Sequence, residues 1–198
     1  MSEQTETQKS PFFQKLGSEL FLGLLVTVMS VLTAYINYST YQVGGVSSDY
    51  QTQGDRKLAD SNTEYVVSSQ YVIQDYTMYD GYYINKDVDD FAAEYYKGNF
   101  SDELKASIDR GTAFDDQYYE DMYAPASDLF NEAFDLFDKA NAESEKETAY
   151  QLAMLSAAVG LAFAAYASLL AQESQLRGWF AVLSVAMLVI SLAQFLTA

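Results

Sequence analysis

Three apolar runs without a charged residue punctuate the chain, at positions 20–36, 149–171 and 178–198. The first, with Gly17, Ser18 and Asn37 added, reaches roughly 30 Å as a helix, which is the thickness of a bilayer core. The other two are longer still. Three such runs in 198 residues are too many for the core of one soluble domain, so each predicts a membrane span. Only residues 172–177 separate the last two, which makes them an antiparallel hairpin. The first run has the look of a signal peptide, but it is long and lacks a small-x-small cleavage site, so an uncleaved anchor is expected.

Between the first and second runs the pattern changes to that of amphipathic helices. Leu58, Tyr65, Val72 and Tyr79 recur every seven residues, interleaved with Ser69, Tyr76 and Tyr83. A return stripe follows Pro125, a residue suited to a first helical turn: Leu129, Phe130, Ala133, Phe134, Leu136 and Phe137. Gly44-Gly45 predicts a restart or a kink after the first span. Shorter units lie between the stripes. Positions 89–96 read as a helix stopped by Gly98, and Ser101 caps another that ends at Gly111. The expected fold is all-α: three transmembrane helices, a long antiparallel helical stalk and a small helical tip. Its segments are 1–19 inside, 20–37 first span, 38–148 outer domain, 149–171 second span, 172–177 inner turn and 178–198 third span.

Lys9 and Lys15 before the first span and Arg177 in the short turn set the orientation. Placing all three on the cytoplasmic side leaves the domain outside, with the protein in the cell membrane. Within the second run Ser156, Gly160 and Ala164 recur at every fourth position, with Ala158, Ala162 and Tyr166 beside them. Small side chains let helices approach closely in lipid, so the first series is the candidate packing face.

Charge sharpens the picture. Of a net −17, residues 40–148 carry −16, from 24 acidic and 8 basic side chains. Such a field repels nucleic acid and anionic headgroups and attracts cations or a basic partner. Salt adaptation gives similar surfaces, although lysine outnumbers arginine here. Cysteine and histidine are absent, which removes disulfides, thiolate nucleophiles, Cys/His zinc sites and imidazole catalysis. No P-loop, G-x-G-x-x-G or G-x-S-x-G pattern occurs, so neither an enzyme nor a cofactor is expected.

Carboxylates remain. Asn85, Asp87, Asp89 and Asp90 open like a calcium loop, but Asp90 stands at the turn glycine and Tyr96 at the bidentate Glu. Asp115, Asp116, Glu120 and Asp121 form a second cluster. Solvated surface is the first reading of both, with weak divalent cation binding left open. Thirteen tyrosines lie between residues 40 and 148. In Tyr82-Tyr83, Tyr95-Tyr96 and Tyr118-Tyr119, neighbours point about 100° apart and cannot share one core. With Tyr123, these six are the candidate interface residues, because tyrosine gives large contact area with few torsions to freeze.

The order of parts, with the polar-aromatic helix QTQGDRKLADSNTEYVVSSQY at 51–71, resembles a group of uncharacterised bacterial three-span membrane proteins. That resemblance implies the architecture and no activity. A non-enzymatic membrane subunit that binds a protein partner or copies of itself is the expected function. A small oligomeric cation channel with an acidic vestibule, lined by Ser30, Thr33, Ser156 or Ser184, is the alternative.

Overall fold

The computed structural model describes residues 16–198; Lys9 and Lys15 of the expected inner segment lie outside the described residues. Those residues are all-α, with five helices and no strand: α1 Glu19–Asn85, α2 Asp90–Gly98, α3 Asp102–Asp109, α4 Asp116–Leu169 and α5 Gln175–Thr197. The chain divides into two compact units, Met1–Ser48 with Ala140–Ala198, and Asp49–Lys139.

In the first unit α1, α4 and α5 each contain a stretch long and apolar enough to cross a membrane. Only 22%, 33% and 17% of those stretches is buried within the protein, so their apolar surface needs a cover that water does not supply. What is buried is mostly small. Ala153, Ala157, Gly160, Ala164 and Ala167 of α4 meet Ala181, Ser184 and Ser191 of α5, while Leu22, Leu25, Met29 and Ile36 of α1 supply the bulk. Large residues such as Leu20, Leu155 and Leu196 turn outward. Hydroxyls tie the helices together: Ser184 donates to the Gly160 carbonyl at 2.7 Å, Ser191 to the Ala153 carbonyl at 2.8 Å and Ser156 to Gln194 Oε1 at 2.8 Å.

Ser156, Gly160 and Ala164 therefore lie on a buried face, whereas Ala158, Ala162 and Tyr166 point outward. At the turn, Arg177 is buried and donates to the Gly17 carbonyl at 2.7 Å and to the Leu170 carbonyl at 2.8 Å, the latter an acceptor that the end of α4 leaves open. Gly44-Gly45 does not restart the helix. α1 runs on through both, and the space at Gly44 is taken by the Glu147 carboxyl group, 2.9 Å from where a Cβ would stand.

The second unit pairs its portions of α1 and α4 antiparallel along a seam that keeps Val72 and Ala133 of the expected stripes and otherwise differs from them. Gly54, Ser61, Ser68 and Asp75 of α1, every seventh residue, are buried, as are Met122, Ala126 and Ala133 of α4. Tyr65, Phe130 and Phe134, expected on the buried stripes, are about half exposed. The physical reason is distance. Small residues let the backbones come close enough for Ser61 Oγ to donate to the Ala126 carbonyl at 2.7 Å, and for Phe137 to lie against Gly54. Bulky neighbours are then displaced to the flanks.

Pro125 also departs from expectation: it sits inside α4, which begins nine residues earlier at Asp116. The start is set by Asp115, whose carboxylate accepts from the Tyr118 amide at 2.8 Å. An interior proline costs a helix about 3 kcal/mol. Burial of Tyr118, Met122 and Ala126 on the same segment outweighs it.

Candidate interaction surface of the acidic unit

The centre of the acidic unit is a buried carboxylate. Asp75, 2% exposed, accepts from the Ser101 amide at 2.9 Å, from the Ser101 hydroxyl and from the Tyr118 hydroxyl at 2.9 Å. Ser101 in turn caps α3, accepting from the Leu104 amide at 3.0 Å. One side chain thus joins α1, α3 and α4. Around it Val72, Phe100, Leu104, Tyr118 and Met122 form the core, with Tyr79, Tyr82 and Phe114 against it. Burial and the bond to Asp75 push the Tyr118 hydroxyl well above the ordinary tyrosine range, since ionising it there would leave two negative charges facing each other. Asp75 went unnoticed in the sequence, although an acid in the seven-residue series Gly54, Ser61, Ser68, Asp75 is the signal that marks it.

A second knot fixes the α3–α4 turn. Arg110 grips Asp115 through two bonds, Nε to Oδ2 at 2.6 Å and Nη2 to Oδ1 at 2.7 Å, while Ser107 donates to the Thr112 carbonyl at 2.6 Å. Gly111 takes φ +100°, and Phe114 is held at φ 59°, a left-handed conformation that costs a side-chain-bearing residue about 1–2 kcal/mol. Its ring is stacked on Tyr76 with centroids 4.2 Å apart, which offsets part of that strain.

The Arg110 guanidinium holds the Asp115 carboxyl down at about 2, with the Tyr118 amide helping. A depressed folded pKa contributes stability that is complete above the usual carboxylate value of 3.8 and lost as pH falls through about 2. An NMR titration is expected to place the Asp115 midpoint near 2, and Arg110→Gln should return it toward 3.8. An unchanged midpoint in the variant would refute the assignment to Arg110.

The candidate interface tyrosines separate by pair. Tyr118 has no accessible surface and belongs to the core, while Tyr119 is half-buried with its hydroxyl bonded to that of Tyr76, which pushes it up to about 12. Tyr82 faces the core and Tyr83 solvent; Tyr96 lies against Gly81 and Tyr95 faces solvent. Tyr123 is half-buried, stacked on Tyr65 at 5.0 Å. Tyr118 is thus removed from any interface, because its ring fills the core and its hydroxyl is used by Asp75. Tyr83 and Tyr95 remain exposed on the surface.

The carboxylate clusters are employed singly. Asp89 caps α2, accepting from the Phe91 and Ala92 amides at 3.1 Å, and Asp121 takes a bond from Gln117 at 2.8 Å. Among the described residues no group of three or more acidic side chains is placed to hold a metal ion. Comparison with protein-family models, with curated proteins and with solved structures finds no match to this chain.

Proposed function

We propose that the protein is a non-enzymatic subunit of a membrane, held by three spans, whose acidic unit lies outside the cell membrane and binds a protein partner or a second copy of itself. The observation that carries this reading is the outward placement of Tyr83, Tyr95, Phe130 and Phe134 on a unit whose core is already complete without them. Aromatic side chains left on a surface are characteristic of contact areas.

The test is isolation from native membranes in mild detergent, followed by mass measurement. A stable homo-oligomer or a stoichiometric companion is expected; a bare monomer at every salt concentration would end the proposal. Orientation is testable because the chain has no cysteine. A cysteine at exposed Asn131 should react with an impermeant maleimide on intact cells, and one at Glu173 only after permeabilisation. The reverse pattern would invert the topology.

The channel alternative has less to rest on. Ser156 and Ser184 are engaged between helices, and Ser30 and Thr33 donate to carbonyls of their own helix at 2.8 Å.

A further inference from the structure

Helix α2 is amphipathic in an inverted sense. Ala93 is buried, and the Tyr96 ring lies so close over Gly81 that a Cβ there would meet it at 2.5 Å. Phe91 and Tyr95, four residues apart and on the side away from Ala93, are 87% and 62% exposed. Ile84 at the end of α1 and Val88 in the connection are 71% and 85% exposed. Four large apolar side chains within twelve residues are thus presented outward. Buried Ala93 and the Tyr96–Gly81 contact set which side of the helix is turned inward.

The surrounding charge selects what could cover this ridge. Asp80, Asp87, Asp89, Asp90 and Glu94 outnumber Lys86 and Lys97. Lys97 pairs with Glu94 at 4.0 Å and Lys86 lies over the Tyr83 ring at 4.2 Å, so Asp80, Asp87, Asp89 and Asp90 face a single remaining cation. A second copy would bring the same acids to the same place, and an anionic lipid surface would be repelled. A segment carrying apolar and cationic side chains together meets both requirements. We propose that the α2 ridge, Ile84, Val88, Phe91 and Tyr95 within its acidic surround, is the docking site for a cationic amphipathic helix of a partner protein. This rests on the reading that the acidic unit is a protein-binding module, and names the place and the partner's chemistry.

The probe is a short fluorescent amphipathic peptide of leucine and lysine, titrated onto the full chain in zwitterionic nanodiscs, with empty nanodiscs subtracted. A scrambled peptide of the same composition controls for charge alone. Saturable binding is expected, weakened by salt, at least about tenfold weaker for Phe91→Ser and for Val88→Ser, and weaker for Asp90→Asn with Glu94→Gln. Because all these positions are exposed, circular dichroism of the variants should match the parent. Equal binding by parent and Phe91→Ser, or equal binding of the scrambled peptide, would overturn the proposal. If Phe91→Ser instead converts a dimer to a monomer, the ridge is a self-contact; the assignment fails while the broader function stands. Binding of the ridge to protein-free zwitterionic vesicles, lost in Phe91→Ser, would likewise overturn it in favour of lipid contact. No peptide binding, together with a bare monomer from native membranes, would sink both.

Discussion

Asp75→Ala is expected to cost the acidic unit on the order of 3 kcal/mol, since a buried donor left without its acceptor costs about 1–3 kcal/mol and Asp75 serves three. The substitution deletes an acceptor shared by the Ser101 amide, the Ser101 hydroxyl and the Tyr118 hydroxyl, and leaves the fully buried Tyr118 hydroxyl without its partner. It also frees α3, whose cap is the same Ser101. Tyr118→Phe removes one donor and leaves Asp75 its two bonds to Ser101, so a smaller loss of about 1 kcal/mol is expected. The two losses should not add, because the residues act on one network. The measurement is a near-ultraviolet circular dichroism melt of the full chain, where the clustered tyrosines report packing. An Asp75→Ala midpoint within about 1 °C of the parent would dismiss the hub. Tyr118 adds a pH signature. Its raised pKa contributes stability that is complete below the ordinary tyrosine value of 10.0 and lost progressively as pH rises above it, so Tyr118→Phe should flatten the alkaline side of the stability profile.

In the three-helix unit the largest effect is expected at Gly160. A Cβ placed there would stand 2.3 Å from Met29 Cε and 2.8 Å from Met187 Cβ. The methionine methyl can swing away, but Met187 Cβ is fixed to the α5 backbone. Even alanine must therefore move α5, and leucine must part α4 from both neighbours and break the Ser184 bond to the Gly160 carbonyl. Helices with little hydrophobic drive between them depend on this close approach. Overpacking of this kind costs about 1–3 kcal/mol or more, so Gly160→Leu should lower the midpoint of thermal unfolding in detergent by up to about 10 °C. Ala158→Leu, on the outward face, should leave it near the parent. Equal behaviour of the two variants would contradict the packing face.

Both predictions concern residues of modest hydrophobicity, and this is where reading the chain alone fell short. The stripes of large apolar side chains run through Leu58, Tyr65, Val72, Phe130 and Phe134, and of these Val72 is buried. The helices close on Gly54, Ser61 and Ala126, with Ala133 the small member of the expected stripe, because small residues shorten the distance between axes and leave Tyr65, Phe130 and Phe134 to the flanks. The same effect chose Ser156, Gly160 and Ala164 over the equally periodic Ala158, Ala162 and Tyr166. Pro125 was a sound start signal with a better one upstream: Asp115 caps α4 but is one acid among several, and only its bond to the Tyr118 amide distinguishes it.

What the sequence determined by itself was the all-α class, the three apolar helices and the concentration of charge between the first two. Each follows from the run of residue types along one helix and needs no knowledge of neighbours. It also required that one member of each tyrosine pair face away from the core, since adjacent helical side chains diverge by about 100°. Which member turns inward, which acid is buried, and that α2 shows its aromatics to solvent were decided only by tertiary structure. Those outcomes depend on what stands opposite: Gly81 makes room for Tyr96, and Ser101 and Tyr118 converge on Asp75 from elements dozens of residues away.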